Sequence, residues 1–520
     1  MPDGPGTTGG GRRGAGPPAT SEREFSSRER GGIGGSRAPG GGRRGAGPPA
    51  TRRVKVGLIG LGCAKNLVDG EVMLGHLVEV GAVITPDLDD AEVVIVNTCG
   101  FIEDAKRESV GAILEVARRK GKGRLRRLVV AGCMAQRYAA ELAEEVPEID
   151  AFVGLDELER APEAVLGGIG RGHLPDQHGA LSLYDHTSPR LLATGGVYAY
   201  LKVAEGCDNP CTFCHIPRMR GRFRSRPLAS LVEEAGRLEE AGVRELVLVA
   251  QDTTRYGEDL GMGRSGLRRL LEALLAGTRL PWIRFMYAYP ATLDEGIFPL
   301  MARESRLVPY LDIPLQHASR RVLKLMKRGG DAQSYRELIA AARETVAGLA
   351  VRTTLIVGFP GEGEGEFEEL QHFVEEVRFD HLGVFAYSYQ EENPGAALDD
   401  PVHRRTKERR RRLLMKQQER ISRVNHRSLR GKEMTAIVEG ASPESEYLLQ
   451  GRLQRQAPEV DGRLLFSDGV AKPGDLVRVR IRKTYAFDMV GEILDVTDRG
   501  ASGRRLLLPS LTSPHASAAG

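Results

Sequence analysis

The chain has 520 residues, 41% of them hydrophobic, and a formal net charge of +4. That is apolar content enough for several cores, in a length that favours roughly three domains. The opening MPDGPGTTGGGRRGAGPPAT has no apolar signal core, and no apolar run approaches the ~18 residues of a membrane span, so we expect a cytoplasmic protein with no membrane association. Only six cysteines are present, and in that compartment they should be reduced, which argues against a disulfide scaffold.

Residues 1–53 carry GGGRRGAGPPAT twice, at 9–20 and 40–51. Such a composition buries too little apolar surface to fold. We expect a disordered extension, either a basic arm for ribosome or RNA or a mis-called start, since Val54 opens the first strand pattern.

Residues 54–160 contain three short apolar runs, KVGLIGLG, AEVVIVNT and LRRLVVAG. Each leads to a cysteine (Cys63, Cys99, Cys133) and then to a helical pattern, and the cysteines are 36 and 34 residues apart. These βα units predict a Rossmann-like parallel α/β domain, with all three thiols at one sheet edge. Taken singly, each cysteine reads as a small buried hydrophobe. Three at matching strand ends point to a shared site. GLIGLG is only loosely like a dinucleotide fingerprint, and a tight turn explains it.

Residues 161–195 read as a linker. From 196 to 402, strand patterns alternate with helical ones. VYAYLKVAEG comes first, followed by RELVLVA (244–250), WIRFMYAY (282–289), LVPYLDIPLQHAS (307–319), VRTTLIVGFPGEGEGE (351–366) and DHLGVFAYSYQ (380–390). About six such units predict a partial (β/α)6 barrel of parallel strands. The first strand runs into Cys207-x3-Cys211-x2-Cys214, at the barrel end where chemistry sits. Zinc sites use paired cysteines or Cys and His pairs, and His215, beside Cys214, reads as structural. Three thiolates on one loop suit three corners of an iron–sulfur cubane and leave one iron open. The spacing departs from that of ferredoxins. Gln251, Gln316 and His317 lie at strand ends, where both pocket-lining and ordinary loop hydrogen bonding are open readings. In GFPGEGEGE, the carboxylates of Glu362, Glu364 and Glu366 argue against a phosphate loop, and Gly358 suits close approach of a ligand.

Residues 403–430 form a strongly basic helical stretch, either a solvated connector or a contact to ribosomal RNA. Residues 431–497 change to short alternating strands with an AKPGD turn, as in a small antiparallel β-barrel of OB-like type. They carry 9 Lys/Arg against 11 Asp/Glu. That balance suits a basic protein substrate better than an RNA backbone, although Arg478, Arg480 and Arg482 alternate as a local basic stripe. Residues 498–520 read as a disordered tail.

The motif Cys-x3-Cys-x-Phe-Cys, with Phe213 as its aromatic, resembles the radical S-adenosylmethionine (SAM) superfamily. With GCAKN, NTCGF, AGC, DIPLQHAS and IVGFPGE it is similar to the methylthiotransferase family across residues 54–497. Within that family it is nearest the branch that modifies an aspartate of small-subunit ribosomal protein twelve.

The resemblance implies two 4Fe-4S clusters, each with an open iron. One would be held by Cys63, Cys99 and Cys133, the other by Cys207, Cys211 and Cys214. Phe213 would lie near the adenine of SAM; Gln251 and Gln316, from their place at strand ends, and Gly358, from its loop, are the further SAM contacts we expect. One SAM would methylate a sulfur held on the first cluster. A second would yield the 5′-deoxyadenosyl radical that activates the aspartate β-carbon. Beyond the ligands the implied task is positioning and exclusion of water and oxygen, with no further catalytic residue. A TRAM domain would end the fold. The implied partners are the ribosomal protein, free or on the ribosome, and a reductant such as flavodoxin or ferredoxin; the sulfur donor is not specified. Two alternatives are a transfer-RNA adenosine methylthiotransferase and a non-catalytic iron–sulfur carrier. Phe213 and the missing fourth cysteines count against the carrier.

Overall fold

The computed structural model describes residues 53–176, 183–399, 401–500 and 507–508. The repeated Gly/Pro/Arg extension and most of the expected tail lie outside them.

The amino-terminal region is built from β1 (Lys55–Gly60), α1 (Ala64–Glu79), β2 (Val83–Ile84), β3 (Val93–Thr98), α2 (Glu103–Arg119), β4 (Arg127–Gly132), α3 (Cys133–Glu145) and β5 (Ala151–Val153). The sheet is parallel, in the order β2-β1-β3-β4-β5. This is a doubly wound order that reverses between β1 and β3, where such folds place their sites. Along β3, Val93 and Ile95 pack with Val72, Met73 and Leu77 of α1, while Val94 and Val96 pack with Ile113 of α2 and Leu142 of α3. Burial on both faces explains the unbroken apolar run VVIVNT.

The described parts of the stretch expected to be a linker, 161–176 and 183–195, are structured. They hold α4 (Ala161–Leu166), which covers one face of the sheet, and β6 (Arg190–Leu191). Arg190 is buried and clamps Glu71 of α1 (2.6 Å) to Glu234 (2.8 Å). Its partners lie 119 and 44 residues away, so no local signal announced them.

The central region starts with β7 (Tyr198–Lys202), β8 (Ala204–Glu205), α5 (Ile216–Arg220), β9 (Arg224–Ser225) and α6 (Leu228–Glu240). It continues through β10 (Glu245–Val249), α7 (Gly266–Gly277), β11 (Trp282–Phe285), α8 (Ile297–Arg303), β12 (Tyr310–Asp312) and α9 (Arg320–Leu325). It ends with α10 (Ala332–Thr345), β13 (Ala350–Val357), α11 (Glu364–Val377) and β14 (His381–Ala386). Parallel triplets β7-β10-β11 and β12-β13-β14 are joined by a parallel bridge from Ile283 to Leu307. The result is the open six-stranded parallel wall of a partial barrel. Two strands are shorter than their apolar runs suggest. β11 stops before Tyr287 (φ 62°), and β12 stops before Pro314 and Gln316 (φ 71°). Positive φ and a missing proline N–H both end a strand.

Helix α12 (Arg404–Arg427) follows, burying Leu414, Gln418 and Ile421. The last region is a closed barrel of β15 (Glu433–Ser442), β16 (Ser445–Leu453), β17 (Leu464–Asp468), β18 (Leu476–Thr484) and β19 (Met489–Asp498). All its pairs are antiparallel except β17 with β19, which is parallel. The run 475–494 splits into two strands at a turn closed by Tyr485 N–H donating to the Asp488 carbonyl (2.9 Å). Within the expected tail, β20 (Leu507–Leu508) pairs antiparallel with β6.

Candidate active site

Three cysteines follow a glycine with positive φ: Cys63 after Gly62 (95°), Cys133 after Gly132 (86°) and Cys207 after Gly206 (76°). A strand can therefore reverse sharply at its carboxyl end and present the thiol at the sheet edge. Cys63 caps α1 and Cys133 begins α3, while Cys99 follows β3 directly. A Cβ on Gly62 would sit 3.2 Å from the Cys99 sulfur, and one on Gly100 would sit 3.4 Å from the Cys133 carbonyl. The segments that carry Cys63, Cys99 and Cys133 are thus neighbours at the carboxyl ends of β1, β3 and β4.

The second trio is held by its own loop. Cys207 N–H donates to the Gly221 carbonyl (3.1 Å), and Cys214 N–H to the Cys211 carbonyl (3.1 Å). A Cβ on Gly206 would lie 2.0 Å from the Arg222 carbonyl oxygen. Phe213 packs against Val322, Met326, Phe359 and Tyr387. His215 is buried, with Nδ1 3.0 Å from Asn393 Oδ1, in keeping with its structural reading.

Buried charges join the first trio to the strand end that precedes the second. Arg220, at the end of α5, donates to the Cys133 sulfur (3.3 Å), to Asp69 of α1 (3.1 Å) and to both Glu205 oxygens (3.0 Å). Lys202 pairs with Asp69 and with Glu205 (2.8 Å). Ile216 and Met219 of α5 pack on Cys133 with Phe101 and Leu155.

Burial holds most of the thiols protonated. It pushes Cys133 up to about 12, Cys207 to about 11 and Cys214 to about 12. Cys63 differs: burial is outweighed by Lys65 and Arg220, and its thiol is lowered. All six cysteines are free of disulfides. Among the described residues no three His, Cys, Asp or Glu side chains gather as tightly as a single metal ion requires. A zinc ion holds thiolate at ~2.3 Å, whereas a four-iron cage spreads its ligands over separate corners. Buried polar atoms without partners lie near both trios: Asn66 Oδ1 and Asn97 Oδ1 beside Gly132 at the first, and Arg328 Nε on the side chain that reaches Cys211 at the second. Thiol donors, burial and waiting polar atoms fit a cluster at each trio.

The other expected residues are placed as follows. Gln251 donates to Glu205 (2.9 Å) and so joins the charge network. Gln316 engages Thr354 and Ile356 through its backbone. Gly358 has φ 73°, and the room beside it is filled by the Lys407 side chain. His317 is buried, with burial lowering it to about 3. Glu362 is buried too and accepts from the Gly358 and Phe359 amides. The Arg478, Arg480 and Arg482 stripe is neutralised: Glu433 meets Arg478 (2.9 Å) and Arg480 (2.8 Å), Asp495 meets Arg478 (2.6 Å), and Glu492 meets Arg482.

Asp69, Lys202, Glu205, Arg220 and Arg328 are the residues that motif reading missed. A signal existed for two of them. Lys202 and Glu205 sit inside the apolar run YAYLKVAEG, and charges in a buried strand require partners.

A partial parallel barrel opening on a three-cysteine loop defines a radical SAM protein. The Radical SAM superfamily model matches residues 201–374, uncharacterized protein family UPF0004 matches 55–154, and the TRAM domain matches 431–494. A ribosomal protein uS12 methylthiotransferase RimO of Solibacter usitatus is 46% identical over 86% of this chain and 96% of that protein. The protein of the same name from Trichlorobacter lovleyi is 47% identical over 85% and 98%. This chain belongs to the ribosomal protein uS12 methylthiotransferase (RimO) family. Among solved structures, the radical SAM methyltransferase TsrM of Kitasatospora setae matches with a TM-score of 0.48 at 16% identity, over 66% of this chain and 75% of that one, which adds nothing to the relatives above.

Proposed function

We propose that the chain attaches a methylthio group to the β-carbon of an aspartate in ribosomal protein uS12. Two bound 4Fe-4S clusters and SAM supply the methyl transfer and the radical chemistry. In this reading Cys63, Cys99 and Cys133 hold the cluster that carries sulfur, and Cys207, Cys211 and Cys214 hold the one that binds SAM. Phe213 closes the apolar wall beside the second trio. Arg220, Glu205, Asp69 and Lys202 fix the two cysteine loops against each other, so that both sites share one water-poor chamber. Gln251 extends that network toward the SAM side. A low-potential carrier such as flavodoxin or ferredoxin supplies the electron, and the reaction takes place in the cytoplasm.

The carrying observation is the buried Arg220 bridge, which ties Cys133 and Asp69 to Glu205, two residues before Cys207. The neutralised outer face of the terminal barrel supports a protein substrate over transfer RNA. The test is anaerobic incubation of reconstituted protein with SAM and reductant, offered ribosomes and transfer RNA in parallel, with mass spectrometry of both. A methylthio gain on uS12 is expected. A gain on transfer RNA would overturn the substrate, and absence of 5′-deoxyadenosine would overturn the enzyme reading.

A further inference from the structure

Helix α9 and the turn after it carry Arg320, Arg321, Lys324, Lys327 and Arg328, with no carboxylate before Asp331. Arg320 is paired with Asp331 (2.5 Å) and Arg321 with Glu366 (2.6 Å). Lys324 and Lys327 are exposed, and among the described residues neither meets a carboxylate. Arg320, Lys324, Lys327 and Arg328 line a shallow basin of about 540 Å³ with Asp331 and Ser334.

Arg328, on the wall of this basin, also reaches the cysteine loop. Arg328 Nη1 lies 3.7 Å from the Cys211 sulfur, its guanidinium stacks 4.1 Å from the Tyr289 ring centroid, and Nη2 donates to the Pro314 carbonyl (2.7 Å). Thr212, next to Cys211, donates its hydroxyl to the Leu325 carbonyl (2.8 Å) and its N–H to the Met326 carbonyl (3.2 Å). One side chain therefore separates the cationic surface from a thiol of the second trio.

We propose that this basin is the docking surface for an acidic one-electron carrier protein. The assignment rests on the reading of Cys207, Cys211 and Cys214 as ligands of a reducible cluster. The reduced carrier loses one electron, the cluster gains it, and no proton or bond changes hands. Unpaired surface lysines speed the approach of an acidic partner, and Arg328 marks the short path inward. A nucleic acid would meet the same charges but would have no use for that path.

The test is K324E/K327E in the reconstituted holoenzyme, without oxygen. Cluster bleaching is followed optically with flavodoxin hydroquinone and, separately, with dithionite, and flavodoxin affinity is measured by titration calorimetry. Flavodoxin-driven reduction should slow about tenfold or more and lose its salt dependence. Dithionite-driven reduction and SAM binding should not change. An unchanged flavodoxin rate overturns the proposal, as does a variant that releases ribosomal RNA while its flavodoxin rate holds. If the charge reversal costs iron, K324Q/K327Q and a salt series on the wild type decide instead; a salt-independent wild-type rate overturns the proposal. A wild-type protein that dithionite cannot bleach removes the cluster reading itself, and that result is distinct from all the others.

Discussion

Arg220 donates a hydrogen bond to the Cys133 sulfur while the same guanidinium grips Glu205, two residues ahead of Cys207. One buried side chain thus links a thiol of the first trio to the strand end that leads into the second.

Removing it should leave Lys202 as the one remaining ion-pair partner of Asp69 and Glu205, with Gln251 still donating to Glu205. Breaking a buried ion pair from one side costs about 3–5 kcal/mol. R220M should lose about that much in denaturant unfolding, and R220K less. R220K should also lower the reduction potential of the amino-terminal cluster, because a hydrogen bond to sulfur makes a cluster easier to reduce. Equal unfolding midpoints and potentials in all three proteins would contradict this account.

The two trios should fail separately. C133A and C207A should each retain about four of about eight irons, since each cubane is a closed unit. C133A should still cleave SAM to 5′-deoxyadenosine but add no methylthio group. C207A should do neither. Loss of all iron from either variant would mean that the sites are not independent.

Burial raises the Glu362 carboxyl to about 7, against the pull of Arg410 and the amides of Gly358 and Phe359. A folded value above the unfolded 4.5 gives stability that is full below about 4.5 and lost as pH rises through about 7. The wild type should therefore lose stability relative to E362Q across that window. The slope should approach ~1.4 kcal/mol per pH unit. Chemical denaturation of both proteins at several pH values reads the difference, and parallel profiles would refute it.

Gly206→Ala combines a left-handed backbone with a Cβ placed 2.0 Å from the Arg222 carbonyl. The strain and the overlap together should cost roughly 2–4 kcal/mol, and the Cys207 loop should open. Iron bound at the second site should fall while the first keeps its own. Full iron at both sites would show that the loop tolerates the methyl group.

The cysteines were legible because their signal is local. An apolar run, a glycine, a cysteine and a helical pattern recur within a few residues at Cys63 and Cys133, and the doubly wound order then brings the strand ends together. The basic stretch RMRGRFRSRP gave no sign that Arg220 and Arg226 are buried. Their carboxylates, Asp69 and Glu234 among them, lie on other elements.

By itself the sequence determined most of the longer strands and helices, and that Cys63, Cys99, Cys133 and Cys207 each follow a strand. Those outcomes follow from periodicity and turn chemistry over a handful of residues. Only the tertiary structure decided where β11 and β12 stop, that α4 and β6 pack where a linker was expected, that the barrel arginines are neutralised, and that one guanidinium ties Cys133 to the strand end before Cys207. Each of these depends on charge pairing or backbone strain between residues far apart in the chain, which no window of neighbours contains.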